Sequence, residues 1–230
     1  MSKLVWDQTG ERLYETGVRN GVLYPMGENG WGAGVAWNGI SSVTESPSGA
    51  DANAIYADDT KYLELRALEE FGGTIEAYTY PDEWAECDGS ASLATGIVVG
   101  QQKRKPFCLC YRTAIGNDTE FDDHGYKLHI VYNATASPSE RAYETINDSP
   151  EAISFSWEFS TTPVAVIDST TGEPIEGFKN TSLVTIDSTK VAAEKMTLIE
   201  NALYGTNGSG SSQGTDAHVL LPGEILALIS

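Results

Sequence analysis

From residue 153 to residue 159 the chain alternates without a break. Ile153, Phe155, Trp157 and Phe159 fall on one parity, and Ser154, Ser156 and Glu158 on the other. A period of two sends successive side chains to opposite faces of a sheet, so one face is built for burial and the other for water. The same rule puts Phe107, Leu109, Tyr111 and Ile115 on one face of a second strand. Tyr126, Leu128, Ile130 and Tyr132 share a face of a third. Shorter strands are predicted at 22–24, 35–44, 61–68, 74–80, 96–100 and 183–186, with Gly72-Gly73 as a hairpin turn between the third and fourth of these and one helical turn at 82–87.

Only residues 191–204 carry a convincing helical stripe, made of Ala192, Met196, Ile199 and Leu203. Asp187, Ser188 or Thr189 can cap its start, and Gly205 suits its end. About nine short strands and one helix predict a mainly β chain, either a two-sheet antiparallel β-sandwich or a partly closed barrel, with one flanking α-helix over 189–204. A chain of 230 residues is long enough for a single sizeable core. Around it the sequence predicts a Gly-rich N-terminal arm (1–32), a long polar loop (45–60), a flexible loop (206–215) and a C-terminal segment (216–230) ending in an apolar strand or arm.

Composition narrows the function. Asp and Glu number 33 against 14 Lys and Arg, a formal charge of −19. Such a surface repels nucleic-acid phosphates and anionic membranes. The one dense basic run, Lys103-Arg104-Lys105, reads as a solvated turn before a strand. The odd cysteine count (Cys87, Cys108, Cys110) argues against a disulfide framework, and Cys108 and Cys110 are expected as reduced, half-buried thiols. No apolar run approaches the ~18 residues of a membrane span, and the opening residues lack a signal-peptide core.

Chemistry is sparse. Asp122-Asp123-His124 resembles part of a metal or triad cluster by composition but lies in a turn, and 117–125 lacks the calcium-loop spacing. His129 falls mid-strand, opposite in face to Leu128 and Ile130, as a structural histidine does. No second Cys pair completes a zinc site, and dinucleotide, P-loop and nucleophile-elbow motifs are missing. No enzyme, cofactor or metal is therefore expected. With 11 Tyr and 5 Trp, a carbohydrate- or surface-binding β-sandwich module is the alternative. Most rings fall on core parities; Trp31, Trp37 and Trp84 do not have an obvious place.

An ordered set of segments carries a family resemblance: TGVRNGVLY at 16–24, ADANAIYADDTKY at 50–62, GQQKRKPFCLCYRT at 100–113, and the whole of 125–163. Together with the late helix and short C-terminal segment, this pattern resembles the major tail protein, or tail tube protein, of long-tailed non-contractile bacteriophages. The resemblance spans about four-fifths of the chain. It implies a non-enzymatic virion protein, assembled in the host bacterial cytoplasm. Its subunits would form rings, hexameric in the family, that stack into the tail tube through which DNA is ejected. Implied partners are further copies of the chain and the tape measure, terminator and initiator proteins, with DNA passing unbound and no membrane contact.

Two groups of residues follow as expectations. The loop would stack rings through Pro47, Gly49, Asp51, Asn53, Ile55, Tyr56, Asp58 and Asp59, because it is long, polar and carries an apolar pair. The lumen would be lined by the polar faces of two strands: Ser154, Ser156 and Glu158, with Glu64 and Glu76.

Overall fold

The computed structural model describes residues 3–28, 30–143, 145–146, 148, 152–208 and 213–230. The expected loop at 206–215 therefore lies partly outside the described residues. The chain begins with strands β1 (Tyr14–Gly27), β2 (Gly30–Trp31), β3 (Val35–Trp37) and β4 (Ile40–Glu45). A ribbon follows, made of β5 (Ser48–Gly49), β6 (Ala52–Ala57), β7 (Thr60–Arg66) and β8 (Glu69–Glu70), leading into β9 (Gly72–Ala77). Then come α1 (Trp84–Asp88), β10 (Ala91–Ala94), β11 (Ile97–Val99), β12 (Phe107–Asn117), β13 (Phe121–Ala136), β14 (Phe155–Thr161) and β15 (Leu183–Asp187). Helices α2 (Ala193–Tyr204) and α3 (Pro222–Ile229) close the chain.

The main sheet runs β2-β1-β12-β13-β14-β9-β4, with β3 added to β1 and β15 to β13. Every ladder in it is antiparallel. The sheet turns at β13. Lys127–Val131 pair with β15, Ala134–Ala136 pair with β14, and Asn133 between them takes φ 48°. Asn tolerates that left-handed conformation better than most residues, and the kink folds the two halves of the sheet over each other. The far edge returns against β1 without a ladder. Ile40 of β4 packs so closely on Gly21 that a Cβ there would stand 2.4 Å from Ile40 Cδ1. The result is the predicted mainly β architecture, a curled antiparallel sheet closing on itself.

Two cores follow from the two faces of the central strands. The inner core joins Leu23, Trp37, Ile75, Phe107, Leu109, Val131, Trp157 and Phe159, and α1 plugs it with Trp84 and Cys87. The outer core lies on the other face of β1, β12, β13 and β15, where Tyr24, Cys108, Cys110, Leu128, Ile130 and Tyr132 meet Met196, Ile199 and Leu203 of α2 and Ile225 of α3. β12 is thus buried on both sides along Phe107–Tyr111, which is why its run reads as continuously apolar. Buried hydroxyls fasten α2 and the segment leading into α3 to the sheet: Tyr24 Oη donates to Leu203 O (2.6 Å) and Tyr132 Oη to Leu220 O (2.7 Å).

Several expectations change. The N-terminal region is not an arm with one short strand; β1 is a 14-residue strand inside the sheet. Weak periodicity hid it, because register shifts on either side of Arg19 break the alternation. The helix begins at Ala193, and Asp187 instead accepts from Thr189 in the turn before it. The C-terminal apolar stretch is helix α3 rather than a strand, with Pro222 in its first turn and Glu224 accepting from Leu221 N–H. Gly72-Gly73 makes no hairpin turn but enters β9 directly. Thr44 O would lie 2.3 Å from a Cβ on Gly73, so close strand approach explains that glycine. The cysteines are free but fully buried rather than half-buried. Burial pushes each thiol up to about 12, which keeps the nucleophilic thiolate scarce at neutral pH.

Candidate assembly surfaces

The predicted loop is one strand of a projecting ribbon. β5 pairs with β8 at its base, and β6 pairs with β7 along its length. Pro47 precedes the base. Gly49 sits at φ 80°, and a Cβ there would meet Leu68 O at 2.3 Å, so both backbone and space demand glycine. Asp51 accepts from Ala67 N–H through its carbonyl. Asn53 and Ile55 lie opposite Leu65 and Leu63. Tyr56 opposes Lys61 across a register shift. Asp58 and Asp59 form the tip, with φ of 50° and 59°. Positive φ at both central residues is the type I′ geometry that matches strand twist in a two-residue hairpin.

The ribbon exposes apolar groups on both sides. Ile55, Tyr56, Tyr62, Leu63, Leu65 and Leu68 are all exposed, Leu68 to 88%. Clustered apolar exposure of this kind marks an interaction surface rather than ordinary surface scatter. The structure therefore keeps the eight loop residues together and adds Tyr62, Leu63, Leu65 and Leu68. Their alternation was visible, but it reads as a half-buried core strand because periodicity reports two faces and not what covers them.

The lumen candidates separate. Ser156 pairs with Glu76 and Glu158 with Thr74 across the β14–β9 ladder, and Ser42 pairs with Glu76 from β4. Ser42 Oγ donates to Glu76 at 2.9 Å. Glu76, Ser156, Glu158, Ser42, Thr44 and Thr74 thus share the outer, polar face of β4–β9–β14, opposite the inner Ile75 and Trp157. Ser154 lies just before β14 and outside that ladder. Glu64 is not on this face at all: it sits on β7 of the ribbon, ion-paired to Lys61 and, at 3.3 Å, to Arg66. Both faces of the neighbouring β1–β12–β13 half are occupied, one by the inner core and one by the helices.

A polar cluster closes one end of the inner core. Tyr111 Oη donates to Glu45 Oε1 (2.5 Å), the Tyr111 and His129 rings stack at 4.7 Å, and Thr113 Oγ1 meets His129 Nε2 at 3.0 Å. His129 Nδ1 stands 3.4 Å from Glu45 Oε1, an electrostatic contact that lacks good hydrogen-bond alignment. The His129 ring, against the opposing cost of burial and with help from Tyr111, holds the Glu45 carboxyl below its ordinary value. A carboxyl lowered on folding contributes stability above its unfolded pKa of about 4.3, and that contribution disappears as pH falls through the folded value. Glu45→Gln is accordingly expected to lose less stability than the parent between pH 6 and pH 3, measured by urea unfolding at each pH. Equal acid sensitivity in both proteins would refute the assignment.

The acidic turn is held by its own hydrogen bonds. Asn117 Oδ1 accepts from the Thr119 and Glu120 N–H groups, and His124 Nδ1 lies 2.6 Å from Glu120. Among the described residues no group of three or more His, Cys, Asp or Glu is arranged to hold a metal ion, and no helix is long and apolar enough to cross a membrane. Two of the unplaced tryptophans, Trp37 and Trp84, are inner-core residues, and Trp31 packs against the outer core.

No family model matches the chain, and no curated protein matches it. Among solved structures it is similar to a chain of an extracellular contractile injection system, the PVC sheath–tube complex in its extended state. That likeness covers 73% of this chain and 88% of the other, at 11% identity and a TM-score of 0.30. At that TM-score it carries no weight for fold or function.

Proposed function

We propose that this chain is a non-enzymatic structural subunit that self-assembles into rings, hexameric as the family resemblance implies, stacked into a tail tube of a long-tailed non-contractile phage. The observation that carries the reading is the ribbon from β5 to β8, which leaves Ile55, Tyr56, Tyr62, Leu65 and Leu68 exposed on a single copy. Burying an exposed large apolar side chain is worth about 1.5–3 kcal/mol, so a second copy covering several of them supplies a strong drive to associate. The ordered segments at 16–24, 50–62, 100–113 and 125–163 support the tail-tube identity through their resemblance to that family.

In this reading the polar face of β4–β9–β14 lines the lumen. Among the described residues it is the sheet face left free of helices, and it presents Glu76 and Glu158. A conduit lined with carboxylates repels phosphate and lets DNA slide. Strand edges that carry no ladder within one copy among its described residues, such as the Ser42–Glu45 end of β4 beyond its contact with β1, join neighbouring subunits by strand pairing. Tape measure, terminator and initiator proteins are the further partners, and the virion tail is the location.

The direct test is negative-stain electron microscopy and sedimentation of the purified protein over a range of concentrations. Rings or hollow tubes are expected; a monomer at every concentration, including with the phage's initiator complex, would overturn the reading. The lumen assignment has its own test. Tubes carrying Glu76→Lys and Glu158→Lys are expected to assemble normally but to retain double-stranded DNA in a salt-dependent way. Equal DNA retention by mutant and parent tubes would place this face elsewhere.

A further inference from the structure

A second apolar ribbon stands apart from the first. β10 and β11 form a two-stranded hairpin, and Leu93, Ile97 and Val98 on it are exposed, Leu93 to 72%. Between Asp88 and Lys103 the chain carries no charged residue. The hairpin's base is fixed by Gln102 N–H donating to Gly89 O (2.8 Å), and the basic run follows at once. Lys105 is engaged by Glu86 at 2.5 Å. Lys103 and Arg104 have no ion pair among the described residues.

Arg104 is held in place rather than dangling. Its guanidinium carbon lies 3.0 Å from where a Cβ on Gly89 would stand, and Gly89 sits at φ 82°. Its Nε is buried without a hydrogen-bond partner among the described residues. In a chain with 33 acids and 14 bases, two unpaired cations beside an exposed apolar hairpin mark a place made for an acidic apolar partner.

The chain itself contains such a partner. Residues 46–71 carry six acids against two bases, and those two, Lys61 and Arg66, are paired to Glu64 within the ribbon. Residues 89–105 carry three bases and no acid. Both segments are exposed β-ribbons with aliphatic side chains, and their charges are opposite. We propose that the β10–β11 hairpin with Lys103 and Arg104 is the receptor for the β6–β7 ribbon of a second copy. Asp58 and Asp59 at the ribbon tip then approach Lys103 and Arg104, while Ile55, Leu63 and Leu65 cover Leu93, Ile97 and Val98. The two surfaces differ, so the contact is heterologous and each copy has one ribbon to give and one receptor to offer, which lets assembly continue from copy to copy. The pairing rests on the self-assembly reading and specifies which surfaces meet.

Charge reversal at each side tests it. One variant carries Asp58→Lys and Asp59→Lys; the other carries Lys103→Glu and Arg104→Glu. Each alone is expected to raise the concentration needed for assembly at least roughly ten-fold, since like charges then face each other. An equimolar mixture of the two variants restores assembly, because each then meets a complementary surface. As a second readout, Asp58→Cys with Lys103→Cys is treated with a short bismaleimide. The native cysteines are buried, so a ladder of covalent oligomers reports the proposed contact alone. Wild-type assembly that neither reversal weakens, or a crosslinked sample that stays monomeric while assembling, overturns the pairing and leaves self-assembly standing. A wild-type chain that never assembles overturns both.

Discussion

Replacing residues 51–67 by a two-residue Asn-Gly turn is expected to abolish assembly and to leave the protomer folded. The cut joins Ala50 to Leu68, whose carbonyl already accepts from Ala50 N–H, so the β5–β8 base keeps its register. None of the deleted residues belongs to either buried core. Their removal therefore takes away no core packing, and shortening a connection costs or gains only about 0.6 kcal/mol per two-fold change in length. The thermal midpoint should move by no more than a few degrees, since one kcal/mol shifts a domain of this size by about 2–4 °C. Assembly responds differently. Tyr56, Tyr62, Leu63 and Leu65 leave with the ribbon, and with them the apolar area that offsets repulsion between copies of charge −19. Sedimentation velocity and electron microscopy on parent and deletion proteins, each brought to the same concentration, decide the matter. Tubes of unchanged length and yield from the deletion protein would remove the ribbon from any account of assembly.

The sequence made the strand faces easiest to read. The alternation of β14 places Trp157 and Phe159 inward and Glu158 outward, as the ladder with β9 shows. Ile153, at the start of the same alternation, lies before the strand and is partly exposed, because a pattern can outrun the pairing that gives it meaning. β12 and β13 were legible for the same reason as β14. What could not be read was which of two faces a partner covers. Leu63 and Leu65 alternate as a core strand does, yet their partner β6 is a neighbour in sequence and, among the described residues, no second layer closes over them. The polar composition of 45–60 pointed to a long loop, while the Asp58-Asp59 pair, unusual among I′ turns that favour glycine, concealed the hairpin tip. Helix α3 was missed because an eight-residue apolar run gives little periodicity to separate helix from strand. Glu76, Ser156 and Glu158 come together on one face because β9 and β14 pair across a sequence separation that no local pattern encodes.

The largest effect on stability is expected at Trp84. α1 has only five residues, too few to persist alone, and it is held by the aromatic group it enters. The Trp84 ring lies 4.6 Å from Trp37, 4.9 Å from Phe107 and 5.3 Å from Trp157, centroid to centroid, and the side chain is fully buried. Trp84→Ala empties the centre of the inner core, where strands from both halves of the curled sheet meet, so the walls cannot collapse without breaking ladders. Large-to-small changes of this kind cost about 3–5 kcal/mol, which on a total of roughly 5–15 kcal/mol leaves the protein close to its unfolding threshold. Urea unfolding followed by tryptophan fluorescence and by far-UV circular dichroism measures the loss. Trp84→Phe separates volume from the indole N–H. Trp84 Nε1 has no hydrogen-bond partner among the described residues, so removing it forfeits no bond and relieves a buried donor. The phenylalanine variant is therefore expected to retain most of the stability that the alanine variant loses. Near-equal losses in the two would mean that a partner for the indole N–H, and not the ring's volume, fastens α1 into the core.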